Sequence, residues 1–160
     1  MKLNIILISM LLVLSSCGYS MRGSINIPSS VESVSVVSSE YSELVNILNS
    51  SLISSNIKTS VSKNDDIYRI VILSEEFNRR QLSINISGRV NEYELIYSVN
   101  FELKVPNEKS IKDKIILYRD YSFDENNVMG NSDREDDIKK EMMSTASTLI
   151  FNRLVASIQK

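Results

Sequence analysis

The stretch NEYELIYSVNFELKV, residues 91–105, decides the fold of this chain, because apolar and polar side chains alternate along its length. One alternate set is apolar: Tyr93, Leu95, Tyr97, Val99, Phe101, Leu103 and Val105. The other set is mostly polar: Glu92, Glu94, Ile96, Ser98, Asn100, Glu102 and Lys104. Alternation with a period of two is typical of a β-strand that buries one face and leaves the other in water. The stretch therefore predicts a long strand in a sheet that is covered on one side.

Further strands are predicted on both sides of this stretch. Residues 106–109, PNEK, are typical of a turn, and residues 111–123 alternate again. The two alternating runs therefore predict a long antiparallel hairpin. Upstream, β-branched or alternating residues predict strands in four runs: 31–38, 57–61, 67–77 and 82–87.

Two amphipathic runs predict helices. Ser39 is placed to cap the first helix, which starts at the next residue. The apolar side chains of this helix recur at steps of three and four: Tyr41, Leu44, Val45, Leu48 and Leu52. After a polar loop at 124–131, Ser132 and Glu135 fit a capping box for a second helix, which runs to about Ser157. The order of elements predicts an α+β fold with two helices on one face of a mainly antiparallel sheet.

The beginning of the chain predicts a secretory signal of the lipoprotein kind over residues 1–16. Lys2 supplies a positive charge, and residues 3–14 form an apolar run that is too short to span a bilayer. Leu14-Ser15-Ser16 then precedes Cys17, which matches the lipobox of bacterial lipoproteins. We expect cleavage before Cys17 and attachment of a diacylglyceryl group to its thiol, which would give a stable membrane anchor.

Cys17 is the only cysteine in the 160 residues, and it cannot form an intramolecular disulfide. Gly18 follows it, and the absence of the Asp that typically retains lipoproteins at the inner membrane favours the outer membrane. We therefore expect one mature domain over residues 17–160, a size that fits a single domain. The alternative is a short transmembrane anchor with an incidental cysteine.

Composition and motifs argue against catalysis and nucleic-acid binding. The chain is 42% hydrophobic and 24% charged, which is typical of globular proteins, and its net charge of −2 gives no signature for nucleic acid. It has no histidine, the commonest general base and metal ligand, and no phosphate-binding loop, HExxH or GxSxG motif. Adjacent carboxylates occur at Asp65-Asp66, Glu75-Glu76 and Asp136-Asp137. Because neighbouring side chains diverge in strands and helices, we predict no catalytic residues, metal or cofactor.

Two groups of basic residues remain as candidate binding sites. Arg79, Arg80 and Arg89 bracket one predicted strand connection near Gly88. Arg134 lies with Lys139 and Lys140 at the start of the last predicted helix. Basic side chains near loops can bind phosphate or carboxylate by charge-assisted hydrogen bonds. The alternative is ordinary surface charge.

Four segments together resemble the LptE family of lipopolysaccharide-assembly lipoproteins. They are Cys17–Gly23 (CGYSMRG), Glu92–Phe101 with its EYEL and SVNF pieces, Arg119–Asp124 (RDYSFD) and Ile138–Met142 (IKKEM). The resemblance implies two helices packed against a four-stranded sheet. It also implies a non-enzymatic protein that sits as a plug inside the outer-membrane barrel LptD and helps to deliver lipopolysaccharide to the cell surface.

The resemblance further implies lipopolysaccharide binding through basic residues near the sheet-end loops. The family's two basic positions fall at about Ile86 and Asn131 in this chain, with Arg89 and Arg134 close by in sequence. We therefore take four arginines as candidates for contacts with the anionic lipid or the barrel: Arg79, Arg80, Arg89 and Arg134. The expected partners are an LptD-type barrel, lipopolysaccharide and, through Cys17, the outer membrane, but no nucleic acid.

Two other functions are also compatible with the sequence. One is an accessory lipoprotein of a different outer-membrane assembly machine. The other is a free periplasmic lipoprotein that acts as a hydrolase or binds a small ligand. The missing histidine counts against a hydrolase, since no serine then has the usual base to activate it.

Overall fold

The computed structural model describes residues 27–28, 31–60 and 66–159. The predicted signal segment 1–16, the 17–23 motif with its predicted lipidation site Cys17, and Asp65 lie outside the described residues. The described elements, in chain order, are β1 (Ser33–Ser38), α1 (Glu43–Ser54), β2 (Lys58–Thr59), β3 (Tyr68–Ile84), β4 (Val90–Lys104), β5 (Ile111–Ser122) and α2 (Val128–Ile158). The strands form one sheet in the order β2-β1-β3-β4-β5.

The sheet has five strands, where the resemblance implied four, and it is mixed. β1 pairs in parallel with both β2 and β3, whereas the long β3–β4 and β4–β5 ladders are antiparallel. Parallel neighbours need a crossover connection, and α1 supplies it between β1 and β2. The expected α+β class is confirmed, and the strand number is corrected by the two-residue edge strand β2.

β3 is a single strand of 17 residues, where the sequence predicted two shorter strands. It pairs with β4 from Arg69–Lys104 to Ile84–Val90, with register shifts between Ile72 and Ser74 and around Ser83. These irregularities lie on either side of the charged middle of β3, residues 74–81, so the alternation does not run in one phase along the whole strand. The predicted β4–β5 hairpin is confirmed, with a ladder that has no register shift.

Both helices pack on the face of the sheet that carries the apolar side chains of β4. Leu95, Tyr97, Val99, Phe101 and Leu103 are all buried there, as the alternation predicted. The apolar stripe of α1 is buried through Leu44, Leu48 and Leu52. The stripe of α2 is buried through Ile138, Met142, Ala146, Ile150 and Leu154. The two-layer arrangement was therefore predicted from periodicity.

Both helices begin at other residues than predicted. The N-cap of α1 is Ser42, whose Oγ accepts a hydrogen bond from the amide of Val45 at 3.3 Å, and Ser39 lies before the helix. The N-cap of α2 is Asn127, whose Oδ1 accepts from the amide of Gly130 at 3.1 Å. The predicted capping box at Ser132 is wrong because the helix already begins at Val128, with Asn127 accepting a hydrogen bond from the amide of Gly130, and Ser132 lies within it.

No helix covers the other face of the sheet within the described residues. This open face is mostly polar, and its centre carries Ile96, Ile116 and Tyr118, of which Tyr118 is 51% exposed. The polar set of β4 was expected to be exposed. It is half-buried for the most part, and Glu94 is buried, because neighbouring strands supply partners across the face.

Candidate functional site

The four candidate arginines lie toward one end of the sheet, which we call the hairpin end. It consists of the β3–β4 hairpin, the last residues of β5 and the first turns of α2. Arg79 and Arg80 lie within β3, Arg89 lies in the turn that follows, and Arg134 lies in the second turn of α2. The structure therefore brings together two basic groups that are more than forty residues apart in the sequence.

Arg79 and Arg80 do not bracket a connection, which corrects the expectation from the sequence. They are internal to β3, where Arg79 is opposite Leu95 and Arg80 is opposite Glu94. Adjacent residues of a strand face opposite sides of the sheet. Arg79 therefore belongs to the helix-bearing face and Arg80 to the open face.

On the helix-bearing face, Glu135 of α2 holds three side chains together. Its Oε2 accepts hydrogen bonds from the guanidinium of Arg79 at 3.0 Å and from the hydroxyl of Tyr121 at 2.6 Å. Its Oε1 lies 2.8 Å from Nζ of Lys139. This carboxylate therefore links β3, β5 and α2, and the positive charge of Arg79 is already partnered.

The pKa values of this group follow from the same contacts. Burial tends to raise the pKa of Glu135, but hydrogen bonds from Lys139, Tyr121 and Arg79 together hold that pKa at about 2. Burial, and then the hydrogen bond to Glu135, raises the pKa of Tyr121 to about 12. The pKa of Arg79 is raised by Tyr121 and then by Glu135. At neutral pH the carboxylate is thus fully charged, and the tyrosine is neutral.

A cluster of aromatic rings lies beside Arg79 on the same face. Its guanidinium carbon lies 4.5 Å from the centroid of the Tyr93 ring, a cation–π distance. Tyr93 also contacts Tyr121, with centroids 5.9 Å apart, and meets Phe123 edge-on at 5.2 Å. No sequence motif marks this cluster, although its aromatic residues alternate with polar ones in their strands. Arg79 is therefore held in place and is not available as a free anion-binding group.

Two more of the arginines are also paired with carboxylates. Arg80 donates from Nε to Glu94, which is buried, and this hydrogen bond raises the pKa of the Arg80 guanidinium. Arg89 donates from a terminal nitrogen to Glu125 in the loop before α2. Arg89 and Glu125 are both well exposed, so the pair can open at little cost.

Arg134 makes no ion pair within the described part of the chain. It is exposed and lines a shallow depression with Glu92, Asp120, Tyr121 and Ser122. Its charge therefore lies near two carboxylates. The hairpin end is a mixture of paired charges, and of the four candidate arginines Arg89 and Arg134 present the guanidinium groups that an anion can reach most easily.

The two positions that are basic in the resembled family have other roles here. Ile86 lies in the β3–β4 turn and is fully exposed. Asn131 fastens the loop before α2, since its Nδ2 donates to the carbonyl of Asp124 at 2.6 Å and its Oδ1 accepts from the amide of the same residue at 3.0 Å. Neither residue supplies a charge for an anionic ligand.

A groove of about 560 Å³ lies between the start of α1, the middle of β3 and α2. In its wall, Glu75 accepts hydrogen bonds from Oγ of Ser42 at 2.6 Å and from the hydroxyl of Tyr97 at 2.7 Å. The neighbouring Glu76 is opposite Ser98 on the other face, so the two adjacent carboxylates do not work together. Among residues 27–28, 31–60 and 66–159, no group of three metal-binding side chains is placed to hold an ion.

The described helices are too short or too polar to cross a membrane. The alternating Leu82, Ile84 and Ile86 of the predicted strand 82–87 lie at the tip of the β3–β4 hairpin. All three side chains are exposed. The sequence does show that these residues are close to the turn at Gly88, which could have indicated their exposure. In the structure this turn lies beyond the end of β5.

Known proteins resemble this chain in sequence and in fold. The profile of the LptE family, described as lipopolysaccharide-assembly, matches residues 31–154. A lipopolysaccharide-assembly lipoprotein LptE from Pectobacterium atrosepticum is 21% identical over 146 residues, which cover 90% of this chain and 79% of that protein.

Two solved structures share the fold over most of their length. The crystal structure of rare lipoprotein B from Shewanella oneidensis superimposes with a TM-score of 0.68 at 30% identity, covering 79% of this chain and 93% of that one. The solution structure of a lipoprotein B from Nitrosomonas europaea gives a TM-score of 0.71 at 24% identity, covering 89% and 93%. The second likeness concerns the fold alone.

Proposed function

The chain belongs to the LptE family of lipopolysaccharide-assembly proteins, and from this premise we propose that it is the plug and assembly partner of an outer-membrane β-barrel of the LptD type. In this role it is a lipoprotein held at the outer membrane by lipid on Cys17. It catalyses no reaction and helps to pass lipopolysaccharide to the cell surface. The single mature domain, 17–160, carries all of these tasks.

The open face of the sheet is the observation that carries this proposal. It spans three long strands, and polar side chains surround the small apolar centre at Ile96, Ile116 and Tyr118. The lumen of an outer-membrane barrel is polar, so a surface of this composition is suited to contact its wall. An apolar centre with a polar rim is also the usual arrangement of protein interfaces.

Lipopolysaccharide binding is assigned to the hairpin end, with Arg89 and Arg134 as the main contacts. Arg89 gives up only an exposed carboxylate partner, and Arg134 has no ion pair within the described residues. Arg79 and Arg80 have more buried partners in Glu135 and Glu94 and therefore act mainly in positioning. Phosphate groups of the lipid are the natural ligands for the two available guanidinium groups.

Co-purification combined with site-specific crosslinking tests the barrel partnership. A photo-crosslinking amino acid in place of Tyr118 on the open face is expected to capture a large β-barrel protein in cells. The same substitution at Asn107, in the turn at the other end of the sheet, tests whether capture depends on the position. Isolation of the protein as a monomer, with no captured barrel from the open face, would contradict the proposal.

The same experiment separates the two alternatives. Capture of a barrel that does not serve lipopolysaccharide transport supports an accessory lipoprotein of another assembly machine. A monomer that retains a small molecule supports a free ligand-binding lipoprotein, for which the groove beside Glu75 is the candidate.

A further inference from the structure

We propose that the tip of the β3–β4 hairpin, residues 82–90, binds acyl chains of lipopolysaccharide by inserting its aliphatic side chains among them. This inference rests on the proposed function and extends it, because it assigns the apolar part of the ligand to a separate element. The arginines of the hairpin end contact phosphate, and the tip enters the hydrocarbon layer.

The first observation is the exposure of three large aliphatic side chains at one place. Leu82 is 43% exposed, Ile84 is 64% exposed, and Ile86 is fully exposed. Single exposed apolar residues are common on protein surfaces, but a cluster of three at one projecting turn marks a binding surface. None of these side chains contributes to the core of the described domain.

The second observation is that the tip projects beyond its neighbours. β5 ends at Ser122, which is opposite Glu92 of β4, and the amide of Phe123 still donates to the carbonyl of Asn91, so residues 84–90 extend beyond the segment that follows β5. The tip is therefore convex and narrow. A convex apolar element fits a fluid hydrocarbon layer, whereas a protein partner would need a matching apolar cavity, and a barrel lumen is polar.

The third observation is that the turn satisfies its own backbone. Oδ1 of Asn85 accepts hydrogen bonds from the amides of Ser87 at 2.9 Å and Arg89 at 3.0 Å. The amide of Gly88, at φ +77°, donates to the carbonyl of Asn85, whose own amide donates to the carbonyl of Arg89. Unpaired amides make entry into hydrocarbon costly, and four amides of this turn are already paired.

Charge at the tip points to an apolar mode of binding. Arg80, just before the tip, and Arg89, within it, are paired with Glu94 and Glu125. The base of the tip is thus nearly neutral, and Ser83 binds Glu92 there at 2.7 Å. Binding through the tip should therefore change little with salt, in contrast to binding through free arginines.

The absence of tryptophan from the chain gives a direct test. The full chain carrying Ile86→Trp is mixed with lipopolysaccharide aggregates, and tryptophan emission and acrylamide quenching are recorded. At saturating lipopolysaccharide we expect a blue shift and severalfold weaker quenching, both retained at high salt. The matched control is Ile53→Trp on the outer side of α1, because Ile53 is 63% exposed and lies away from the tip; its emission should not change.

A second variant measures the contribution of the neighbouring side chains. Leu82→Ser with Ile84→Ser, in the Ile86→Trp background, should raise the half-saturating lipopolysaccharide concentration by about tenfold or more, because aliphatic burial is lost. Ile53→Ser in the same background should leave it unchanged. Since all of these side chains are at least partly exposed, circular dichroism should show an unchanged fold.

Several outcomes would overturn the inference. They are water-like emission from the Ile86→Trp variant with lipopolysaccharide, a blue shift that disappears at high salt although lipopolysaccharide is saturating, or a shift only after the barrel is added. A shift with phosphatidylethanolamine–phosphatidylglycerol vesicles but not with lipopolysaccharide would overturn the assignment of the ligand. Co-purification with the barrel does not depend on these readings, so failure of the tip and failure of the proposed function remain distinguishable.

Discussion

The hydroxyl of Tyr121 donates a 2.6 Å hydrogen bond to the carboxylate of Glu135, and this bond joins the end of β5 to the second turn of α2. The same carboxylate oxygen accepts from Arg79 of β3. The side chain of Glu135 thus fixes the start of α2 over the sheet, at the end of the molecule that carries the candidate binding residues.

Replacing Glu135 should destabilise the domain more than replacing an exposed acidic residue nearby. Glu135→Gln loses charge-assisted hydrogen bonds to partly buried partners, so we expect a loss of about 1–3 kcal/mol in the free energy of unfolding. Asp137→Asn is the control, because Asp137 is 70% exposed and lies 3.8 Å from Lys140. Its effect should stay within about 0.5 kcal/mol. Urea unfolding measures both, and equal effects would refute the central role of Glu135.

Stability should also depend on pH through this carboxylate. The pKa of Glu135 is lowered from 4.5 to about 2 in the folded chain, so the unfolded chain takes up the proton first on acidification. The stabilisation is therefore complete above pH 4.5 and is lost as the pH falls toward 2. Unfolding experiments between these values should show a steeper fall for the parent chain than for Glu135→Gln. Parallel curves would contradict the assignment.

The start of α1 can be tested with two serines. Ser42→Ala removes the N-cap and the 2.6 Å hydrogen bond to Glu75, and should cost about 1 kcal/mol or somewhat more. Ser39→Ala should be nearly neutral, because Ser39 is exposed and precedes the helix. Thermal unfolding of the two variants distinguishes the cap seen in the structure from the cap predicted by the sequence. A larger effect at Ser39 would reverse the assignment.

Charge reversal at the accessible arginines should weaken lipopolysaccharide binding without unfolding the chain. For Arg89→Glu with Arg134→Glu we expect a severalfold loss of affinity that shrinks at high salt, since the contacts are exposed and electrostatic. Lys112→Glu with Lys114→Glu, near the start of β5, makes the same change in net charge at the opposite end. Binding of labelled lipopolysaccharide compares the two. Equal affinities would remove the arginines from the site.

Much of the fold was predictable because the long strands and the helix stripes repeat a simple pattern. The alternation through Tyr97 and Phe101 identified the covered face of β4, and steps of three and four identified Leu44, Leu48 and Leu52 of α1. β3 was harder to predict, since its central charged residues acquire partners only when Glu94 and Glu135 are brought near by other elements.

The candidate site was predictable only in part for the same reason. Arg79, Arg80, Arg89 and Arg134 were identified as a group, and the fold does gather them toward one end of the sheet. The carboxylates that pair with three of them come from β4, α2 and the loop before α2, so no local pattern indicates them. The exposure of Ile86 likewise depends on where β5 ends, which the sequence of the hairpin does not show.

The parallel pairing of β1 with β3 has a consequence for how an anchored molecule would be oriented at a membrane. Since β1 runs in the same direction as β3, the chain enters the sheet at the end farthest from Gly88. The 17 residues of β3 extend for about 55 Å at roughly 3.3 Å per residue, which exceeds the about 40–45 Å thickness of a bilayer with its headgroups. If Cys17 carries lipid in one leaflet and the domain stands along the membrane normal, the length of β3 is sufficient to reach the opposite leaflet.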